Sequence, residues 1–422
     1  MLTAKRIVTE KINRNIIFPI ALFFLLNIGN YSFFRYSLHG SENTLSYLNL
    51  ISHFRLVLPA WIVLYSFWLH YKLTSKILIQ NVDVVALSAS WLLSGILSLD
   101  TSSYLLYGIW TLLSLWAIVL FVSYTAIISQ SPSRFLLKIL DALWVGNFII
   151  LILDAASMLL LTPKNGMYNI FFSSNTFWAY PTMIMGILAH IRMRFTGHGF
   201  LRKVAYFTLF VICLVAVYFS ARRSPLFCLI LTFLLLYLPL KFPQIVLVFC
   251  FFAVSYSFVD SAAGKGFLNS LPDSYMKYRI ERMFGLVQGR AETSYSERQK
   301  IWDIYLDAFY QKPVMGEGLA AVQRITKNSE SKLEGFSAHN TFIGLLSETG
   351  LSGTLLMCIV LLRSILFVGK IKSTAWLRIY IILFIPTLLI NWVEYNLIPG
   401  QIFFLYTMIV WLLPRGLQYI KI

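Results

Sequence analysis

Residues 337–353 read Ser-Ala-His-Asn-Thr-Phe-Ile-Gly-Leu-Leu-Ser-Glu-Thr-Gly-Leu-Ser-Gly, a polar junction that opens a long apolar run. The run continues to Val368, and Gly350 and Gly353 are placed to kink it. It is long enough to cross the ~30 Å hydrocarbon core of a bilayer. His339 is therefore expected at a membrane surface, with water on one side and lipid on the other.

Apolar runs of this kind recur along the whole chain. Of its 422 residues, 58% are hydrophobic and only 13% are charged, whereas soluble domains carry about 25% charged residues. Runs of roughly 17–25 apolar residues match the length of a transmembrane helix. We therefore predict an all-α fold, namely a polytopic membrane helical bundle with about 12 transmembrane helices that is surrounded by membrane lipids.

The basic residues indicate how the bundle is oriented. A formal net charge of +17 would suggest nucleic-acid binding in a soluble protein. Here Lys and Arg gather at helix ends, as they do on the cytoplasmic side of membrane proteins, so no nucleic-acid partner is predicted. The clearest inner clusters are Lys5, Arg6, Lys11 and Arg14 near the N-terminus, and Arg192, Arg194, Arg202 and Lys203 after the sixth span. Both termini are expected inside.

One long extramembrane segment divides the predicted spans. Residues 1–258 contain nine spans, of which the first lies near 15–34 and the ninth near 243–258. Residues 259–338 form a loop, and residues 339–422 contain the last three spans. Because nine spans precede it, the loop is expected outside the membrane, on the face opposite to the termini.

The predicted loop contains a helix of its own. Residues 295–311 place apolar and aromatic side chains at helical spacing, which predicts an amphipathic helix on the outer surface. On the inner side, the second span near 56–71 is expected to end at Lys72 and Lys76, before the third span begins near residue 78.

Two groups of arginines near the outer surface suit phosphate chemistry. Arg222 and Arg223 lie where a span meets the outer side, a place where basic residues do not normally collect. Paired guanidinium groups bind a phosphate or diphosphate through bidentate hydrogen bonds. The structural alternative is an interfacial anchor for lipid headgroups. Arg298, four residues before Trp302 on the predicted outer helix, fits a solvated helix face as well as a binding role.

His339 is the candidate base. A neutral imidazole can take a proton from an attacking sugar hydroxyl, and Asn340 could orient it. The structural alternative is an interfacial histidine that is hydrogen-bonded to the main chain. No metal site is predicted, because the four cysteines lie in apolar runs without metal-ligand spacing and the chain has no zinc-protease histidine pair.

Five acidic residues fall inside predicted spans, where ionisable groups are costly and often functional. They are Asp83, Asp141, Asp154, Glu348 and Glu394. The structural alternative is pairing with a buried partner, and these residues rank below the arginines and His339 as candidates for chemistry.

Three stretches in the second half of the chain follow an order known from one family. They are Ser-Ala-Arg-Arg-Ser at 220–224, Glu-Arg-Gln-Lys-Ile-Trp at 297–302 with Pro313 and Gly316-Glu-Gly318 after it, and His339-Asn340 with Gly350-x-x-Gly353 after it. Together they resemble the O-antigen ligase and O-antigen polymerase superfamily of bacterial envelope glycan enzymes. The first half of the chain matches that family in hydropathy alone.

The resemblance implies a glycosyltransferase of the bacterial inner membrane that works at the periplasmic face without a metal or other cofactor. Its donor would be an undecaprenyl-diphosphate-linked glycan. The resemblance also implies that His339 acts as the base and that arginines at the Arg223 and Arg298 positions hold the diphosphate. Arg223 aligns better than Arg222, because Ser224 follows it directly, but the doubled arginine leaves that choice open.

Three functions stay open at this point. A ligase transfers the glycan to lipid A-core in lipopolysaccharide biosynthesis, whereas a polymerase joins lipid-linked repeat units. One dominant outer loop favours a ligase, while Arg324 and Gly335, separated by ten residues, are similar to a polymerase loop motif. A transporter or flippase of lipid-linked glycan would instead place charges along a midplane path, whereas the charges here gather at the outer face.

Overall fold

Helices account for every regular element in the part of the chain that can be described. A computed structural model describes residues 45–97, 102–129, 131–160, 179–195, 199–219, 223–237, 291–319, 321–327, 337–369, 371, 373–393 and 404–420. No strand occurs among these residues, in agreement with the all-α prediction. The first and ninth predicted spans lie outside the described residues.

The helices are labelled in chain order. They are α1 (Leu45–Gln80), α2 (Val82–Leu97), α3 (Ser102–Ser129), α4 (Pro132–Leu160), α5 (Ala179–Phe195), α6 (Phe200–Phe219), α7 (Arg223–Tyr237), α8 (Ala291–Gln311), α9 (Val322–Thr326), α10 (Thr341–Val368), α11 (Thr374–Val393) and α12 (Phe404–Leu412), followed by a 3-10 helix over Leu413–Tyr419.

Four helices are long and apolar enough to cross a membrane. Their crossing segments are Gly108–Ser129, Phe200–Tyr218, Thr341–Val368 and Thr374–Trp392. A fifth candidate is the pair His70–Gln80 and Val82–Leu97, which is bent by 81° and forms a broken span or a re-entrant loop. The described residues therefore give four or five candidate spans, and they do not confirm the expected number of about 12.

The turn between the second and third predicted spans lies later in the chain than expected. Helix α1 breaks at His70, next to the predicted end of the second span near residue 71, but helical structure resumes and continues past Lys72 and Lys76 to Gln80, and the sharp bend is at Asn81. The two lysines are four residues apart, so they share one exposed face while Thr74 and Ile77 are buried on the other. Exposed lysines are good helix formers and do not end a helix that has a buried face.

The chain divides into two compact units, the first comprising Met1–Pro181 with Ile304–Ile422 and the second comprising Thr182–Asp303. In the first unit, α3 is the central helix: it packs against α1, α2, α4, α12 and the 3-10 helix. In the most apolar stretch of its crossing segment 78% is buried by protein, whereas the share for α10 is only 22%. Helix α10 packs mainly against α2 and leaves a broad apolar face outside the protein core.

In the second unit, small and aromatic side chains set the packing. Gly186 of α5 faces Leu229 of α7 and Cys213 of α6, and a Cβ atom at this glycine would lie 2.7 Å from the Leu229 side chain. The buried His190 ring meets Phe210 and Phe233 edge-on, with centroids at 4.7 and 5.2 Å. Helix α6 exposes an apolar face, which suits contact with lipid acyl chains.

An acidic residue inside a predicted span is neutralised by two arginines. Arg415 in the 3-10 helix reaches Asp83 at the start of α2 through both terminal guanidinium nitrogens, and Arg363 of α10 donates to Asp83 Oδ1 at 2.8 Å. The buried Arg415 also donates to Ser364 Oγ, Asn81 Oδ1 and the Val360 carbonyl. The ion pair therefore joins three elements at one end of the first unit. Pairing with a buried partner is the structural alternative that was considered for Asp83.

Candidate active site

His339 lies where the polar segment at 337–340 enters α10. Its φ is +48°, the one positive φ of a non-glycine residue among those the structure describes. The left-handed region costs an ordinary L-residue on the order of 1–2 kcal/mol, although histidine is enriched there. The side chain is half-buried. The backbone conformation at His339 sets the direction of its imidazole. Because this conformation is unfavourable, the neighbouring main chain has to hold it in place.

Asn340 caps α10. Its backbone is extended, and its Oδ1 accepts hydrogen bonds from the main-chain N–H groups of Phe342 at 2.9 Å and Ile343 at 3.1 Å. Such a cap contributes about 1 kcal/mol to a helix. Since Oδ1 is occupied by α10, a contact between Asn340 and a substrate would use its Nδ2 group. The cap also fixes the main chain on the C-terminal side of His339.

The Gly316-Glu-Gly318 loop replaces part of the hydrogen bonding of α10. Gly350 has φ +62° and breaks the helix. In an unbroken helix, Leu351 N–H and Ser352 N–H would bond to the Ser347 and Glu348 carbonyls. Instead, they donate to the Pro313 and Val314 carbonyls at 2.8 and 3.1 Å. The two carbonyls left over accept from Glu317 N–H and Gly318 N–H, at 2.9 and 2.7 Å.

This exchange of four hydrogen bonds requires a very close approach of two backbones. A Cβ atom at Gly316 would lie 2.5 Å from the Glu348 main chain, and one at Gly350 would collide with the Val314 carbonyl. The Ser94 hydroxyl of α2 closes the join, since it reaches both the Met315 and the Glu348 carbonyl oxygens. The predicted kink at Gly350 is confirmed, and the loop that follows α8 is its partner.

A charge cluster lies on the same loop. Glu317 Oε2 is 3.0 Å from Lys312 Nζ and 3.0 Å from Arg324 Nε. The carboxylate is largely buried, Arg324 is 17% exposed and Lys312 is 49% exposed. Arg324 is thus engaged by Glu317. Its possible partner in the polymerase-like spacing, Gly335, lies outside the described residues.

Tyr305 of α8 joins this helix to the segment around His339. Its carbonyl accepts a hydrogen bond from Ser347 Oγ at 2.6 Å, and its side chain is fully buried. Burial has the largest effect on the Tyr305 hydroxyl and, together with the nearby charge of Glu348, raises its pKa well above the ordinary value. A hydrogen bond from the Ala338 main chain acts in the opposite direction and lowers this pKa. Because this bond acts to lower the pKa, the Ala338 N–H is its donor. Tyr305 therefore contacts the residue next to His339.

The candidate arginines that the structure describes belong to the second unit. Arg222 lies outside the described residues. Arg223 is the first residue of α7, and Arg298 is a half-buried residue of α8. Both are in the second unit, while His339 and Asn340 are in the first. That these arginines lie close to His339 is therefore a prediction that rests on the resemblance alone.

The remaining acidic candidates differ in what can be described. Glu348 is fully buried and lies near Tyr305, and Asp141 is half-buried with an interaction of its own. The side chain of Asp154 and the whole of Glu394 are outside the described residues.

Tyr305 and Glu317 were not identified as site candidates from the sequence. Tyr305 follows the buried Ile301 by four residues on α8, and this spacing reads as core packing.

Residues 208–358 match the family model described as O-antigen ligase. This match confirms the resemblance to the O-antigen ligase and polymerase superfamily. It spans about a third of the chain and includes all three stretches on which the resemblance was based. No curated protein matches the chain. The matched family, together with the apolar helices, points to a membrane-embedded, glycosyl-transferring enzyme of the O-antigen ligase or polymerase type, with lipid-linked glycans as the general class of substrate.

Proposed function

We propose that this protein is an inner-membrane glycosyltransferase of the O-antigen ligase type, which moves a glycan from undecaprenyl diphosphate to a sugar hydroxyl of lipid A-core at the periplasmic face. The observation that carries the proposal is His339 itself. It lies inside the matched residues, at the polar end of a candidate span, on a backbone held in the left-handed region.

The proposed reaction needs one proton transfer and one displacement. The His339 imidazole takes the proton of the acceptor hydroxyl as the hydroxyl oxygen bonds to the anomeric carbon. The bond from that carbon to the diphosphate oxygen breaks on the opposite side, so the configuration inverts. The diphosphate leaves with the electron pair and remains attached to its lipid. Arg223 and Arg298, with Arg222 as the alternative to Arg223, would stabilise its charge by ~2–4 kcal/mol per well-placed donor.

The test of the base is a His339→Asn variant. Asparagine tolerates positive φ, so this change removes the imidazole and keeps the backbone conformation, which alanine would strain further. We expect turnover to fall by about 10²–10⁴-fold, the usual contribution of a general base, with unchanged insertion and donor binding. His198→Asn, on the predicted opposite side of the membrane, is the matched control. Turnover of His339→Asn at the level of the control would exclude His339 as the base.

The acceptor is tested in the same assay. Purified protein receives a defined lipid-linked donor and, in parallel, either lipid A-core or a second lipid-linked glycan, with EDTA present. Product on lipid A-core supports the ligase, and product on the lipid-linked glycan alone assigns a polymerase. Activity that is lost with EDTA and restored by a divalent metal would contradict the proposed metal-independent transfer.

A further inference from the structure

The strained backbone at His339 has to be held from both sides. Left-handed conformations of non-glycine residues persist only where the surrounding structure fixes them. On the C-terminal side, the Asn340 cap fixes the chain as it enters α10. The fixed point on the N-terminal side is Ala338, which is fully buried and whose N–H donates to the Tyr305 hydroxyl.

Tyr305 is itself fixed at two places. Its main-chain carbonyl accepts from Ser347 Oγ of α10 at 2.6 Å, and the single proton of that hydroxyl is shared with the Ile343 carbonyl at 2.9 Å. Its ring is completely buried. A phenol that accepts one N–H still has its own proton to donate. The Glu348 carboxyl is close enough to act electrostatically on that hydroxyl.

The carboxyl group of Glu348 costs free energy to bury at its position. It is fully buried in α10, where a carboxyl group must be compensated by neighbours. Its own main-chain carbonyl accepts from Gly318 N–H, so the backbone at Glu348 is fixed by the outer loop. An acidic side chain on this fixed backbone, close enough to act on the Tyr305 hydroxyl, is suited to orienting that hydroxyl, and through it Ala338.

We propose that Tyr305 and Glu348 are positioning residues for His339: the Tyr305 hydroxyl holds the main chain at Ala338, and Glu348 holds that hydroxyl in the required direction. The inference rests on the proposed role of His339 as the base. Neither residue touches substrate in this scheme. Their effect is on the direction of the imidazole, and a displacement of about 1 Å at a reacting group can reduce a rate by about 10²-fold.

The test compares Tyr305→Phe with Tyr310→Phe. Both lie on α8 and lose only a hydroxyl, but Tyr310 is 72% exposed. We expect Tyr305→Phe to lower kcat about 10- to 100-fold with little change in the KM for the donor, and Tyr310→Phe to leave both constants unchanged. Hydrogen exchange of the peptide that contains Ala338 should become faster in Tyr305→Phe, because its N–H loses its acceptor.

Glu348→Gln is the second variant, which keeps the Tyr305 hydroxyl and remains informative if Tyr305→Phe fails to fold. It should lower kcat in the same way, and in a foldable double variant the loss should be no larger than that of the worse single change. Unchanged kcat in either variant, or a raised KM with unchanged kcat, would overturn the inference. His339→Asn is measured alongside: if it stays active, the proposed base has failed, whereas an inactive His339→Asn with an active Tyr305→Phe rejects the positioning role alone.

Discussion

Gly350 is the residue on which the join between α10 and the Gly316-Glu-Gly318 loop depends. Its φ of +62° and the closeness of the Val314 carbonyl both exclude a side chain. Gly350→Ala should therefore lower the free energy of unfolding by at least ~2 kcal/mol, from the left-handed conformation together with the collision. Thermal unfolding in detergent would measure this change.

Gly95→Ala is the matched control for that change. Gly95 lies within α2, and a Cβ atom there meets nothing within 4 Å, so alanine should stabilise the helix slightly, by up to ~1 kcal/mol. If Gly350→Ala unfolds at the same temperature as the wild type, the hydrogen-bond exchange between the loop and α10 does not contribute to stability.

At the scale of secondary-structure elements, the buried ion pair holds the 3-10 helix against α2 and α10. Asp83→Asn should be strongly destabilising, by ~3–5 kcal/mol, because it leaves the buried Arg415 guanidinium without its counter-charge. Arg363→Gln is the control, since that side chain is 36% exposed and reaches water. A fluorescence-based melting curve of each variant in nanodiscs checks the difference. Equal melting temperatures for Asp83→Asn and Arg363→Gln would contradict the assigned role of the ion pair.

The elements also show what local sequence patterns can and cannot reveal. Hydrophobic periodicity located α8 and α10, because a helix depends on neighbouring residues, and the glycine at 350 identified the kink, although its hydrogen-bond partners at 313–318 could not be read from the sequence. The bend at Asn81 was placed too early, since its position depends on contacts with Tyr419 and Arg415 far along the chain. Asp83 and Arg415 are 332 residues apart, and no local pattern links them. Tyr305 was missed for the same reason: its partners lie on another helix.

At the scale of the whole molecule, the prediction concerns the orientation in the membrane. Charge asymmetry predicts that both termini lie in the cytoplasm and that the 259–338 segment lies outside. Cysteines introduced at Ser270 and Ser329 should react with a membrane-impermeant maleimide in spheroplasts with an intact inner membrane. A cysteine at Ser373, between α10 and α11 on the predicted inner side, is the control and should react only after permeabilisation. Protection of the first two sites would reverse the orientation and remove His339 from the periplasmic face.

The hydrogen-bond exchange at the break in α10 has a consequence for which changes in the gene can be tolerated. The join between 313–318 and 347–352 is made by main-chain atoms, so, apart from the glycines, it depends little on which side chains the segments carry. It depends strictly on their alignment. A single-residue insertion or deletion within either segment moves donors out of line with their acceptors, whereas residues 319–336, which precede the His339 segment, can vary in length without affecting this match. Evolutionary change in this part of the sequence should therefore occur by substitution within the two segments, and by insertion or deletion only outside them.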